Sequence, residues 1–169
     1  MGTVGQPDSF EAFVGAVTPR LRRSANLLTG DTALAEDLVQ TALMKVFMRW
    51  GRSGGWASPA AYAQRILYTT FYAWSGRRWN VEVPTGHLPE HAGPDELTDS
   101  DTGRVHTALM SLPRRQRAVL VARFFDDLSV EQTADLLGTS PSNVKSHTAR
   151  GLAKLRLALP SSESLKEDR

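Results

Sequence analysis

The sequence predicts an all-α protein built from two small helical domains joined by an acidic linker. Apolar residues recur at helical intervals in two separate blocks, and no stretch alternates in the way of a β-strand. Between the blocks lies a segment rich in proline and acidic residues that has no helical period. We therefore predict a first domain over residues 1–79, a linker over 80–103, a second domain over 104–160 and a polar tail over 161–169.

The first block predicts three helices. Gly30 ends the first helix, and Pro19 within it predicts a kink or a split, because proline lacks the N–H that the helix needs. Asp31 is the predicted N-cap of the second helix, which runs to about Trp50. The apolar face predicted for this second helix comprises Val39, Ala42, Leu43, Val46, Phe47 and Trp50. Ser58 and Pro59 start the third helix, which runs to about Trp79.

The second block predicts four helices, the last two of which form a helix-turn-helix. The first two are expected over Val105–Leu112 and from Pro113 to Phe125. The third begins at Ser129, where Gln132 completes a capping box, and ends at Leu137. Ser140 and Pro141 start the last helix, which reaches about Leu159.

Three residues in this hairpin have the spacing of a DNA-binding motif. Ala134 is small where the helices cross, Gly138 permits the positive φ of a tight turn, and Val144 points back into the angle. The apolar stripe predicted for the last helix is Val144, Thr148, Leu152, Leu155 and Leu159. The opposite face carries donors suited to phosphates and base edges, namely Ser142, Ser146 and Arg150, with Lys145 and His147 beside them.

The third helix offers a second candidate surface. Arg65, Tyr68, Thr69 and Tyr72 fall on one stripe, followed by Trp74, Arg77, Arg78 and Trp79. Rings that stack on bases and cations that contact the backbone favour single-stranded nucleic acid. Aromatic residues at helical spacing also pack in cores, so both interpretations stay open; we expect Ile66, Leu67, Phe71 and Trp74 in the core, and Arg65 and Tyr72 exposed.

The charge distribution supports an anionic partner. Residues 1–79 hold nine basic and five acidic residues, residues 80–103 hold six acidic and no basic ones, and residues 104–169 hold eleven basic and seven acidic ones. Two basic blocks around an acidic segment suggest two modules that face nucleic acid.

Several function classes are disfavoured. The chain has no cysteine, which excludes disulfides and thiol chemistry, and no apolar run approaches the ~20 residues of a membrane span. No signal peptide is evident, so we expect a cytoplasmic protein. His87 and His91 are four residues apart, but Pro89 breaks the helix that would align them as metal ligands. We expect no enzyme, no metal and no cofactor.

Four segments together resemble the extracytoplasmic-function sigma factors of the sigma-70 family. They are Ala35–Leu43, Ser58–Leu67 with Arg77 and Arg78, Leu112–Leu120, and Thr133–Gly138 with Val144–Ser146. The first module is most similar to the actinobacterial sigma-E-like members. His147 stands where the family often has arginine, and Thr69 where many members have asparagine, so the promoter preference stays open.

The resemblance implies a dissociable subunit of bacterial RNA polymerase, monomeric when free. The second helix would dock on the polymerase clamp through Glu36, Asp37 and Gln40. The third helix would capture the −10 element through Arg65, Thr69, Tyr72, Arg77 and Arg78. The last module would bind the flap and read the −35 duplex through Ser142, Lys145, Ser146, His147 and Arg150. The linker would thread the active-site cleft, and an anti-sigma factor is a further partner that the family would allow. The alternative is a helix-turn-helix regulator that acts without being a polymerase subunit.

Overall fold

The computed structural model describes residues 9–52, 58–78 and 100–159. All regular elements within these ranges are helical, which confirms the predicted all-α class. The chain divides into two compact units, Met1–Glu90 and His91–Arg169. Among the described residues, no helix combines the length and the apolar character needed to cross a membrane.

The first unit is a bundle of three helices, α1 (Phe10–Thr29), α2 (Thr32–Arg49) and α3 (Pro59–Arg78). Helix α2 packs against both α1 and α3, and α1 also contacts α3. Their apolar faces meet in a core whose most deeply buried large side chains are Leu28, Leu38, Val39, Val46, Leu67 and Tyr68.

Side-chain caps set the starts of these helices. The Asp31 carboxylate accepts the Leu34 N–H at 3.0 Å and Ser58 Oγ accepts the Ala61 N–H at 3.1 Å, as the sequence predicts. Gly30 ends α1 in the left-handed conformation, with φ 69°. The N-cap of α1 is Ser9, whose hydroxyl accepts the Ala12 N–H at 3.1 Å. This cap was not predicted from the sequence.

The predicted split at Pro19 is wrong, because α1 runs unbroken through it from Phe10 to Thr29. Both Pro19 and Gly15, whose carbonyl would have accepted the missing N–H, are exposed, so water can satisfy that oxygen. The buried residues Val17 and Leu21 on the core side hold the helix together across this position.

The second unit contains α4 (Ser100–Met110), α5 (Arg114–Leu120), a π-helical turn (Val121–Phe125), α6 (Val130–Leu137) and α7 (Pro141–Ala158). Helix α7 packs against α4, α5 and α6. Helix α4 begins at Ser100 rather than at the predicted Val105, so its first residues fall inside the segment that was predicted as linker. The preceding linker residues 80–99 lie outside the described residues, as does the predicted tail 161–169.

The helix predicted from Pro113 to Phe125 is not α-helical throughout. Its second part is the π-helical turn, in which the Asp126 N–H donates to the Val121 carbonyl, five residues earlier, at 3.0 Å. The chain then leaves through Asp127, which has a φ of 54°. Local sequence signals do not register such an insertion, because its hydrogen bonds differ from those of an α-helix by only one residue.

A buried arginine ties α4 to α5. Arg117 is 8% exposed, and its guanidinium donates to the carbonyl oxygens of Met110 at 3.3 Å and Leu112 at 3.1 Å. Burial, with a smaller contribution from Arg114, lowers the pKa of Arg117 to about 10. The side chain therefore stays charged at neutral pH and caps one carbonyl at the end of α4 and one in the turn after it.

The close approach of α7 to α5 makes a testable prediction. A Cβ added at Gly151 would lie 2.8 Å from Leu120 Cδ1, and Leu120 is itself buried. We expect Gly151→Ala to destabilise the fold by about 1 kcal/mol, since the cost of overpacking exceeds the gain in helix propensity. Chemical denaturation followed by far-UV circular dichroism measures this.

Gly15→Ala on α1 is the matched control for Gly151→Ala. A Cβ at Gly15 has nothing within 4 Å, so only the gain in helix propensity remains, and we expect a stabilisation of about 0.5–1 kcal/mol. A Gly151→Ala variant as stable as the parent would contradict the packing argument.

Candidate nucleic-acid interface

Helices α6 and α7 form the predicted helix-turn-helix. Ser129 Oγ accepts the Gln132 N–H at 3.0 Å and Gln132 Oε1 accepts the Ser129 N–H at 2.9 Å, which completes the capping box. Gly138 adopts φ 62° in the turn. Ser140 Oγ then accepts the Asn143 N–H at 3.1 Å and starts α7. The local signals in the sequence therefore predicted this hairpin correctly.

The angle of the hairpin is held by a small apolar cluster. Ala134 on α6 and Val144 on α7 pack with Val119 on α5, and all three are at most 3% exposed. Val130 and Leu137 cover the edge of the cluster. This packing aims the opposite face of α7 away from the unit.

The apolar stripe predicted for α7 is only partly buried. Val144 and Gly151 are buried, whereas the other four members of the stripe are half-buried: Thr148, Leu152, Leu155 and Leu159. Thr148 donates its hydroxyl hydrogen to the Val144 carbonyl at 2.8 Å, within its own helix. Gly151 was not predicted as a contact residue, because a glycine carries no periodic apolar signal.

The candidate −35 residues lie on α7 with different exposures. Ser142, Lys145 and Arg150 are exposed, while Ser146 and His147 are half-buried. The first three can reach a partner without moving the core, and Arg150 and Lys145 supply positive charge. The exposed polar face is suited to phosphates and to the edges of bases in a major groove.

His147 is more buried than its predicted position beside the exposed polar face of α7 suggested. Its Nδ1 atom is buried, with no hydrogen-bond partner among the described residues. Desolvation lowers the pKa of His147 below its ordinary value of 6.5, and the positive charges of Arg150 and Arg115 lower it further. The imidazole is therefore neutral at pH 7 and can offer a polar atom without adding charge.

On α3, the structure separates the exposed surface from the core. Arg65 and Thr69 are exposed, and the Thr69 hydroxyl donates to the Arg65 carbonyl at 2.9 Å. Tyr72, expected to be exposed, is half-buried, and so is Trp74, which was expected in the core. Ile66, Leu67 and Phe71 are buried, as predicted.

The nucleic-acid interpretation of Tyr68 is wrong, because this side chain is 0% exposed in the core of the first unit. Its helical spacing with Arg65 and Tyr72 did not reveal that α3 packs against two neighbouring helices. Arg77 and Arg78 belong to the last turn of α3, and their side chains lie outside the described residues.

On α2, the candidate docking residues differ in their surroundings. Asp37 and Gln40 are exposed, whereas Glu36 is half-buried and forms an ion pair with Arg22 on α1, with Oε1 2.7 Å from Nε. Glu36 therefore contributes to the contact between α1 and α2 as well as to the surface. Asp37 and Gln40 are the more accessible pair.

An apolar surface follows on the same helix. Met44, Phe47 and Met48 are 56%, 60% and 58% exposed. Placing Phe47 on the buried face was wrong, although its ring contacts Phe10 at 5.0 Å between centroids. The aromatic contact covers one side of Phe47 and leaves the other side to solvent.

A cleft between α2 and α3 was not predicted. Lys45, Met48, Arg49, Arg52 and Tyr62 line a volume of about 640 Å³, and Arg49 Cζ lies 5.2 Å from the centre of the Tyr62 ring. Lys45, Met48, Arg49 and Arg52 lie close together at and just after the end of α2, and the packing of α2 against α3 brings Tyr62 next to them. Within the described part of the chain, no group of His, Asp or Glu side chains could hold a metal ion. His87 and His91 lie outside it.

Two family models match the chain. Residues 13–80 match Sigma-70 region 2, and residues 102–155 match Sigma-70, region 4. The RNA polymerase sigma-E factor of Streptomyces avermitilis is 37% identical over 159 residues, which cover 93% of this chain and 88% of that protein. The ECF RNA polymerase sigma factor SigL of Mycobacterium tuberculosis is 33% identical over 147 residues, 82% of each chain.

A solved structure is similar in both units. The sigma factor RpoE of Bartonella quintana, in complex with the anti-sigma factor NepR, superposes with a TM-score of 0.72 and 27% sequence identity. The similarity covers 95% of this chain and 98% of that one. The fold and the two family matches therefore agree along the chain.

The environment of His147 predicts a pH dependence of stability. Because its folded pKa lies below 6.5, the unfolded chain binds the proton more readily, and the free energy of unfolding falls as the pH drops through this range. We expect His147→Gln to lose less stability than the parent between pH 7.5 and pH 5. Thermal unfolding at both pH values measures this, and an identical loss in the two proteins would contradict the assigned desolvation.

Proposed function

Since this chain belongs to the sigma-70 family, as a sigma factor of the extracytoplasmic-function group that directs promoter-specific initiation, we propose that its two units divide promoter recognition between them. The first unit docks on core RNA polymerase and reads the −10 element, and the second reads the −35 element. The polar face of α7, presented by a capped helix-turn-helix, is the observation that carries this proposal. The matches to regions 2 and 4 support the same division.

The second unit would bind duplex DNA by placing α7 in the major groove. Arg150 is the candidate for base edges, because an exposed guanidinium offers paired donors to guanine. Ser142 and Ser146 supply short donors, and Lys145 supplies a phosphate contact. His147 would enter as a neutral ring, whereas the family resemblance implies a charged arginine at this position.

The first unit would capture the melted −10 strand on α3. Arg65 and Thr69 present an exposed cation and an exposed hydroxyl on one face, with Tyr72 further along it. Arg77 and Arg78 extend the basic character of the helix towards its end. A cation-bearing face with an aromatic ring is suited to an unpaired strand.

The partners follow from this division. Helix α2 would dock on the polymerase clamp through Asp37 and Gln40, with Glu36 braced by Arg22, and the second unit would contact the flap. The acidic segment 80–99 would pass through the active-site cleft, where it would occupy the path of RNA. For this role we expect a cytoplasmic location, no cofactor and a monomeric free state.

An anti-sigma factor is a further proposed partner. The similar RpoE structure holds such a factor, and the exposed apolar surface of Met44, Phe47 and Met48 is available on α2. A helix-turn-helix regulator independent of polymerase is the weaker proposal, because it does not explain why residues 13–80 match Sigma-70 region 2.

Docking is tested by reversing the charge of Asp37. We expect Asp37→Arg to weaken binding to core polymerase about tenfold or more, because a cation would replace an exposed carboxylate at the interface. Titration of labelled protein with core polymerase measures the affinity. Glu11→Arg on α1 reverses an exposed charge elsewhere in the same unit and should bind normally; an Asp37→Arg variant that also binds normally would remove α2 from the interface.

Duplex reading is tested on α7. We expect Arg150→Ala to relax the preference within the −35 element by about 1–3 kcal/mol, and Ser146→Ala to relax it less, because both would lose contacts to base edges. Lys145→Ala should weaken all sequences evenly and reduce the salt slope by about one unit. A transcription panel of promoter variants with holoenzyme measures these preferences.

The −10 preference is the internal control for the α7 variants and should not change in any of them. Arg156→Ala provides a matched loss of one exposed cation from the last turn of α7. Wild-type −35 preference in Arg150→Ala, or a shifted −10 preference, would refute the assignment of α7 as the duplex reader.

A further inference from the structure

Two arginines and a histidine from two helices form a cluster where α5 and α7 pack together. His147 lies one turn before Gly151, the residue at which α7 approaches Leu120 of α5, so its ring emerges beside this contact. The exposed residues Arg115 on α5 and Arg150 on α7 are both close enough to act electrostatically on the imidazole. These three side chains, the α5–α7 cluster, border the exposed polar face of α7.

In the free chain the α5–α7 cluster holds its imidazole in the neutral form at pH 7. The ring is half-buried, and its Nδ1 atom is buried with no hydrogen-bond partner among the described residues, so a proton on that atom would lack an acceptor. Desolvation lowers the pKa of His147 below 6.5, and Arg150 and Arg115 lower it further. Negative charge brought to the two guanidinium groups reverses this second effect and favours the charged ring.

The described charges that act on the ring are both positive. The helices packed against α7 are α4, α5 and α6. Of the described charged and titratable residues on these helices and on α7 itself, only Arg115 and Arg150 shift the pKa of His147. The others do not contribute: Arg104 and His106 on α4, Arg114 and Arg117 on α5, Glu131 and Asp135 on α6, and Lys145, Lys154 and Arg156 on α7. An anionic ligand therefore meets positive charge that no described carboxylate has neutralised.

We propose that a phosphate of the −35 duplex binds at Arg115, His147 and Arg150, and that His147 takes up a proton from solvent as it binds. The phosphate oxygens accept hydrogen bonds from the guanidinium groups, offset their charge and stabilise the imidazolium. The inference rests on the proposed −35 function of the second unit. It adds to that function a residue of α5 and a contact whose charge depends on pH.

Proton uptake makes the affinity for the −35 duplex depend on pH in a defined direction. A lower pH favours the complex, so the affinity rises as the pH falls from the His147 pKa of the complex to that of the free chain. The slope is at most about tenfold per pH unit, the limit for one proton. By reciprocity, the factor by which the proton tightens DNA binding equals the factor by which DNA tightens proton binding.

The coupling is tested with preassembled holoenzyme on a duplex that carries the −35 element and on the same duplex with that element scrambled. We expect the ratio of the two affinities to be about three- to tenfold higher at pH 6 than at pH 8 for the parent. His147→Gln should lose this gain because glutamine does not titrate, and His147→Arg should also show no gain because its charge is permanent.

His106→Gln, which removes an imidazole from α4 in the same unit, is the matched control and should keep the parental pH dependence. Unfolding curves at both pH values show that the free variants are folded, and His147→Arg keeps the test valid if His147→Gln is not. A pH dependence in the folded His147 variants equal to that of the parent would overturn the proposal.

The contribution of α5 is tested with Arg115→Gln. Loss of this charge should raise the His147 pKa in the free full-length chain, which an NMR titration of the imidazole protons measures directly. In holoenzyme the same variant should bind the −35 duplex more weakly, with a salt slope lower by about 0.9 unit for one duplex phosphate. Arg156→Gln, an exposed cation in the last turn of α7, is the control and should change neither quantity. An unchanged pKa or an unchanged salt slope in Arg115→Gln would overturn the cluster.

Failure of the coupling and failure of the −35 function give different results. If the holoenzyme prefers the intact −35 element and Arg150→Ala weakens that preference, while His147→Gln keeps the parental pH profile, only the coupling is wrong. If neither Arg150→Ala nor scrambling of the element changes binding, the −35 assignment of α7 is wrong and the coupling is refuted with it. Affinity for core polymerase should have the same pH dependence in the parent and in His147→Gln; a difference there in place of a difference on DNA would overturn the proposal.

Discussion

The close crossing of α6 and α7 at Ala134 and Val144 determines what the second unit can present. With Val119 beneath them, these side chains leave little room, so the angle between the two helices has one well-packed value. A larger side chain at Ala134 would push α7 outward and redirect its exposed donors together. The chemistry of the exposed face therefore depends on three buried residues that touch no partner.

A second constraint acts two turns further along the same face of α7. Gly151 lets the helix lie against Leu120, the last residue of α5, immediately before the π-helical turn. Arg117 on the same short helix holds the end of α4 through two carbonyl oxygens. A buried cation is costly unless its donors are satisfied, and here two main-chain oxygens accept hydrogen bonds from one guanidinium nitrogen. The small helix α5 thus joins its neighbours through one tight contact and one charged contact.

Signals carried by a few neighbouring residues predicted this molecule well. The caps at Asp31, Ser58, Ser129 and Ser140, and the left-handed glycines Gly30 and Gly138, depend on local geometry that the sequence displays directly. The misassignments concern residues whose surroundings are set by other helices. Tyr68 is fully buried and Phe47 is 60% exposed because of how α2 and α3 pack against their neighbours, which the spacing along one helix does not show. Pro19 does not break α1, because on the exposed side of a packed helix a carbonyl that lacks its N–H partner can bond to water.

The candidate site shows the same division between local and tertiary information. The face of α7 was predictable, because one helix carries all its members and a stripe of apolar residues defines the opposite side. The cleft of Lys45, Arg49, Arg52 and Tyr62 was not, because it exists only after α2 and α3 pack. The resemblance implied docking through Glu36, Asp37 and Gln40 on α2, and it implied no role for the C-terminal residues of that helix.

The order of charges along α2 suits both its proposed polymerase partner and the helix itself. Asp31 caps the N-terminus, Glu36 and Asp37 lie in the second turn, and Lys45 and Arg49 lie towards the C-terminus, with Arg49 in the last turn. Asp31 and Arg49 lie where such charges stabilise the helix, because the N-terminus carries partial positive charge and the C-terminus partial negative charge. The same order separates the acidic surface proposed for polymerase from the basic residues Lys45 and Arg49 by about two to three turns. The order of charges that stabilises the helix is therefore also the order that separates its acidic surface from its basic end.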